Sequence, residues 1–187
     1  VSCGTITVNN HDVTKNPLVT KSLTGYIPDE PSIWPFMTGE EFLNFTQALF
    51  KGNNGSHSKK IPTLLAPFNL NGLEKQYFQD YSRGNKQKFS IVAAMSHNPE
   101  LLVIDEPIVG LDPTGAEIAK KMFVEYAKNG GSVLLVTHTL SVAEEISDRI
   151  GFLKNGKLLA VGTLPELRKQ AKLNDSATLE EIYKHFA

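Results

Sequence analysis

Two short, unbroken apolar runs constrain the architecture of this chain more than anything else in it. Leu101-Leu102-Val103-Ile104 and Val133-Leu134-Leu135-Val136 each read as a strand buried on both faces. A helix fits between them, because Pro113 suits a first helical turn and Gly130-Gly131 suits an end. Strand, helix, strand in this order is a parallel unit, since parallel neighbours need a crossover connection. The expected class is therefore α/β with a mostly parallel sheet.

The remaining elements are set by caps and turns. Thr5 to Val8 read as a strand that turns at Asn9-Asn10 into antiparallel pairing. A helix-poor linker then leads to Gly25-Tyr26-Ile27-Pro28. Thr38-Gly39-Glu40-Glu41 is a capping box, and Phe42, Phe45, Ala48 and Leu49 follow at helical spacing as core positions. A polar loop is expected over Gly52 to Lys60 and a helix over Pro62 to Phe68. A longer helix starts at Ser82 with Phe89, Val92, Ala93 and Ser96 on one face. It stops near His97-Asn98-Pro99, because proline disfavours helical geometry in the residue before it. Beyond the second apolar run come a helix over Leu140 to Arg149 and a hairpin over Ile150 to Val161, turning at Asn155-Gly156. Thr178 caps a last helix with Leu179, Ile182, Tyr183 and Phe186 inward, and Arg168, Lys169 and Lys172 read as a solvated face.

Composition narrows the function classes. With 19 Lys+Arg against 20 Asp+Glu among 187 residues, a strongly basic nucleic-acid binder is disfavoured and no nucleic-acid partner is expected. The single cysteine, Cys3, can form neither an internal disulfide nor a multi-cysteine zinc site, which fits a reducing compartment. No apolar run approaches the ~20 residues that span a bilayer, and no signal peptide is visible. A cytosolic-type domain is expected.

The chemistry concentrates at the ends of the two apolar runs. Asp105-Glu106 follow the first, at the sheet edge where open α/β folds bind ligands. Asp105 is a hard oxygen ligand suited to Mg²⁺, and Glu106 can polarise a water as a general base. Taken alone, that dipeptide would be read as the start of a solvated loop. Gly110-Leu111-Asp112-Pro113 comes next, however, and Thr137-His138 ends the second run. Tyr81-Ser82-Arg83-Gly84-Asn85 opens the long helix, where free backbone amides favour an anion such as phosphate.

In this order and spacing the segments resemble the ATP-binding subunits of ABC transporters. DEP resembles the end of the Walker B strand, GLDP the D-loop, TH the switch histidine, YSRGNKQK the signature motif and GYIPDEP the Q-loop region. The resemblance, with export-type subunits nearest, runs from Val1 to Ala187. It implies a P-loop NTPase-type fold with an inserted helical subdomain over about 38–97, core elements over 98–162 and C-terminal helices over 163–187. It further implies ATP as substrate with Mg²⁺ held by Asp105, and with lesser weight by Asp29 where the family has glutamine. Glu106 would activate water and His138 would contact the γ-phosphate. Ser82, Arg83, Gly84 and Asn85 would bind nucleotide from the opposite subunit of a head-to-tail pair, and Asp112 would link the two sites. The implied partners are a second ATPase subunit and a transmembrane permease, with the protein peripheral on the cytoplasmic face. The apolar segment Ile33 to Met37 either faces that permease or packs on the helix after Thr38.

One part of the pattern is missing. The phosphate cradle G-x-x-x-x-G-K-[ST] should precede everything above. The near match Gly151 to Leu158 has leucine where Ser or Thr must reach Mg²⁺, and its context is a hairpin. The opening Val1 to Ile6 resembles the strand after that cradle, so the expectation is a chain lacking its N-terminal part and not competent alone as an ATPase. A non-transporter ATPase of the same type and a non-catalytic regulatory module are the alternatives.

Overall fold

The computed structural model describes residues 3–50 and 60–186, so the loop expected over Gly52 to Lys60, apart from Lys60, lies outside the described residues. The chain divides into two units, the first ending at Val136 and the second beginning at Thr137.

In the first unit, β1 (Thr7–Val8) and β2 (His11–Asp12) pair antiparallel. Their two-residue turn places Asn9 and Asn10 at φ +45° and +63°, the left-handed region that asparagine tolerates. A helix, α1 (Pro17–Ser22), occupies the stretch expected to be helix-poor. Its signal is Pro17, whose fixed φ suits a first turn. Next come β3 (Thr24–Ile27), α2 (Gly39–Leu49), α3 (Ile61–Leu65) and α4 (Arg83–Ser96). The unit closes with β4 (Leu101–Asp105), α5 (Pro113–Lys128) and β5 (Ser132–Val136). The sheet order is β3-β4-β5, all parallel, with Ile27 opposite Ile104 and Ile104 opposite Leu135. The parallel α/β expectation holds.

Two burial expectations do not. β5 is not buried on both faces: Leu134 and Val136 are 54% and 51% exposed, while Val133 and Leu135 pack on the core. Among the described residues β5 pairs only with β4, at the sheet edge, and one of its two faces is uncovered. In α2 the inward stripe is Gly39, Leu43 and Gln47, while Phe45 and Leu49 are exposed. Gly39 sets that rotation, because a Cβ there would lie 2.7 Å from the Phe89 ring. The capping box forms as read: Thr38 Oγ1 accepts from the Glu41 amide, and the Glu41 carboxylate accepts from the Thr38 amide.

The core gathers around α4. Phe89 is fully buried, stacked on Tyr81 with ring centroids 5.0 Å apart and edge-on to Phe78 at 5.6 Å. The Tyr81 hydroxyl donates to the Leu73 carbonyl, and burial pushes its phenol up to about 12. The unfolded chain's phenol ionises near the ordinary value of 10.0, so the unfolded state loses its proton first as pH rises. This contribution is therefore complete below about pH 10 and is lost as pH climbs towards about 12. Melting temperatures between pH 9 and 12 should fall more steeply in wild type than in Tyr81→Phe, and parallel curves would refute this assignment.

In the second unit, α6 (Leu140–Ile146) leads to the antiparallel hairpin β6 (Ile150–Lys154) and β7 (Lys157–Gly162). Asn155 and Gly156 sit at φ +50° and +74°, the turn read from the sequence. Helices α7 (Leu164–Gln170) and α8 (Leu179–Phe186) bury Leu167, Leu179 and Ile182 against Phe152 and Ala160. Arg168 is not part of a solvated face: its Nε donates to the Ala177 carbonyl at 2.8 Å, and its side chain is 19% exposed. It ties the segment before α8 back to α7.

Candidate functional site

Because β3, β4 and β5 are parallel and in register, the residues that follow them leave from one sheet edge. Pro28-Asp29 follow β3, Glu106 follows β4 and Thr137 follows β5. The Glu106 amide donates to the Val136 carbonyl at 3.0 Å, carrying the ladder one residue beyond Asp105. The chain then turns sharply, with Glu106 at φ +46°. A side chain in that region costs roughly 1–2 kcal/mol. Such strain persists where surrounding structure imposes it, and it clusters at functional sites. Asp105-Glu106 are thus not the start of a relaxed loop.

The turn continues as a short, tightly bonded loop. The Val109 amide donates to the Glu106 carbonyl at 3.2 Å, and Leu111 to Ile108 at 3.1 Å. Gly110 supplies φ +85°, and Asp112 then caps α5 by accepting from the Gly115 amide at 3.3 Å. The other Asp112 carboxylate oxygen accepts from Lys88 Nζ at 2.7 Å. Lys88 first, then the Gly115 amide, holds the Asp112 carboxyl below its ordinary range.

The start of α4 meets this loop. Ser82 Oγ accepts from the Asn85 amide at 3.2 Å as the helix cap. A Cβ on Gly84 would lie 2.8 Å from the Gly110 carbonyl oxygen, so only glycine permits this approach. Arg83 Nη2 is 3.4 Å from Asp29 and 4.0 Å from Glu30, with Arg83 and Asp29 about half exposed. Such a pair adds at most about 1 kcal/mol, but it engages the Asp29 carboxylate assigned to metal.

Within the first unit the structure therefore brings together Asp29 with Arg83, and the α4 start with the Asp112 loop. His138 lies in the second unit, two residues past β5. Two contributors escaped the sequence reading. Lys88 is one. Gln87 is the other, fully buried, with Nε2 donating to the Pro28 carbonyl at 3.2 Å and tying α4 to the segment after β3. The visible signal for Gln87 is a glutamine two residues before the stretch Phe89 to Met95, in which Ser90 is the one polar residue.

Among the described residues no cluster of three or more His, Cys, Asp or Glu side chains is disposed to hold a metal by itself. The donor set at the edge, one aspartate beside a glutamate, fits a Mg²⁺ that arrives with phosphates and keeps its waters. The near match over Gly151 to Leu158 forms the β6–β7 hairpin, with no helix after its turn, so it is not a phosphate cradle.

A family model described as "ABC transporter" matches residues 1–109. The chain is 35% identical over 180 residues to the ABC-type transporter ATP-binding protein EcsA of Bacillus subtilis, covering 96% of this chain and 72% of that protein. It is 30% identical over 164 residues to the linearmycin resistance ATP-binding protein LnrL of the same species, covering 88% and 53%. It thus spans about half of LnrL and more of EcsA. A solved structure described as the ATP binding subunit of an ABC transporter matches with TM-score 0.93 and 32% identity, over 98% of this chain and 76% of that one. The dimeric post-hydrolysis state of the ATP-binding cassette MJ0796 with ADP and Pi matches with TM-score 0.70 over 84% and 70%; at 21% identity this is a likeness of fold.

Proposed function

Because the chain belongs to the ABC transporter family of ATP-binding domains, we propose that it carries the hydrolytic part of a transporter ATPase subunit. The observation that carries this reading is Glu106, held in a strained turn at the end of a parallel strand, directly after Asp105. There its carboxylate takes the proton of the attacking water as the oxygen bonds to the γ-phosphorus, and the bond to the β-phosphate oxygen breaks to give ADP and phosphate. Mg²⁺ bound with the nucleotide supplies charge neutralisation, and Asp105 is the residue that would hold it. His138 contacts the γ-phosphate. Ser82, Arg83, Gly84 and Asn85 present amides and charge to the nucleotide of a second, head-to-tail subunit.

The membrane partner is a permease at the cytoplasmic face. Supporting it are exposed Trp34 and Phe36, 62% and 76% accessible, with Trp34 packed edge-on to exposed Phe45. Nearby in sequence, Tyr26, Ile33 and Phe42 line a groove of ≈ 380 Å³. Among the described residues no helix is long and apolar enough to cross a membrane. Residues 1–187 hold no phosphate cradle, so alone they bind Mg-ATP weakly. The test is Mg-ATP hydrolysis by the full-length gene product and its loss in Glu106→Gln.

A further inference from the structure

We propose that Lys88 is a positioning residue that clamps the loop from Glu106 to Asp112 onto the signature helix α4, and so sets the aim of the Glu106 carboxylate. The functional consequence rests on the ATPase reading above; the clamp itself does not.

The loop is six residues beyond Glu106 and is pinned at both ends. At its start the Glu106 amide is bonded to Val136. At its end Asp112 is held by Lys88 at 2.7 Å and by the Gly115 amide at 3.3 Å. Lys88 reaches Asp112 along a fitted path. Its side chain is only 13% exposed, and a Cβ on Gly115 would lie 2.8 Å from its Cε. Midway, Gly84 and Gly110 let the two backbones touch, and the Arg83 stem lies against Gly110. Three glycines therefore clear the three places where α4 meets the loop and the α5 start. A charge-assisted bond joins them, with the Lys88 side chain largely covered and the Asp112 carboxylate open on one side. Any shift of α4 must then carry the loop, and with it the residue that precedes the loop.

Asp112 also acquires a defined role inside its own subunit. Both carboxylate oxygens are used within this chain, as the cap of α5 and as the partner of Lys88.

Lys88→Met keeps the buried stem and removes the charge, while Lys88→Arg keeps the charge. In the full-length gene product, Lys88→Met should lower kcat about tenfold with KM for ATP within about twofold, since small misplacements of a catalytic group are costly in rate. Lys88→Arg should recover most of that loss. Amide hydrogen exchange over residues 107–116 should rise in Lys88→Met and stay near wild type in Lys88→Arg. Unchanged exchange in Lys88→Met overturns the clamp, whatever the activity. Raised exchange with unchanged kcat in an active wild type overturns its role in aiming Glu106. A wild type that does not hydrolyse ATP refutes the ATPase reading and with it the catalytic consequence, while exchange still decides the clamp.

Discussion

Glu106→Gln in the full-length gene product lowers Mg-ATP turnover about a hundredfold or more and leaves nucleotide affinity within about threefold, the signature of a lost general base. The substitution keeps the side chain's size, so it removes proton acceptance without reshaping the turn. The main-chain bond from residue 106 to Val136 is also untouched. Steady-state hydrolysis and equilibrium nucleotide binding, measured side by side, check this. Turnover within a few-fold of wild type would remove Glu106 from the chemistry. A parallel collapse of affinity would make it a binding group.

The second large effect concerns stability. Phe89→Ala should destabilise the first unit by about 3–5 kcal/mol, the range for emptying a buried aromatic site. Domains are stable by only about 5–15 kcal/mol, so this is a large fraction of the total. The cost should lie at the upper end because the ring closes three contacts together. It stacks on Tyr81, meets Phe78 edge-on and fills the space that Gly39 leaves open. Denaturant unfolding monitored by near-ultraviolet circular dichroism reads the loss. A cost below about 1 kcal/mol would mean that the surrounding rings collapse into the void. Ser82 caps the helix that Phe89 anchors, so the same substitution should loosen the turn at Ser82.

Local signals in the sequence carried much of this fold. The two apolar runs became neighbouring parallel strands, and the threonine caps at Thr38 and Thr178 formed with their glutamates. The Asn155-Gly156 turn formed because both residues tolerate positive φ. The two burial failures share a cause, since each depended on what lies across a tertiary contact. The buried stripe of α2 is Gly39-Leu43-Gln47 because Phe89 occupies the space beside Gly39. Exposure of Leu134 and Val136 reports that one face of β5 is uncovered, which no periodicity within Val133 to Val136 could reveal.

The site divides in the same way. Asp105, Glu106, Ser82 and Asp112 stand at the ends of elements that were readable from apolar pattern, proline and caps. Lys88 lies 24 residues from Asp112, and nothing local marks it as that residue's partner. The left-handed turn at Glu106 was equally silent, because glutamate carries no preference for that conformation and tertiary structure imposes it.

The most direct test of the whole account is Mg-ATP titration and turnover by residues 1–187 beside the full-length gene product. The account predicts tight binding and turnover only in a protein that supplies a phosphate cradle, and weak binding without turnover in residues 1–187. Tight, Mg²⁺-dependent ATP binding by residues 1–187 alone would contradict it, and would place the phosphate site somewhere other than an absent Walker A loop.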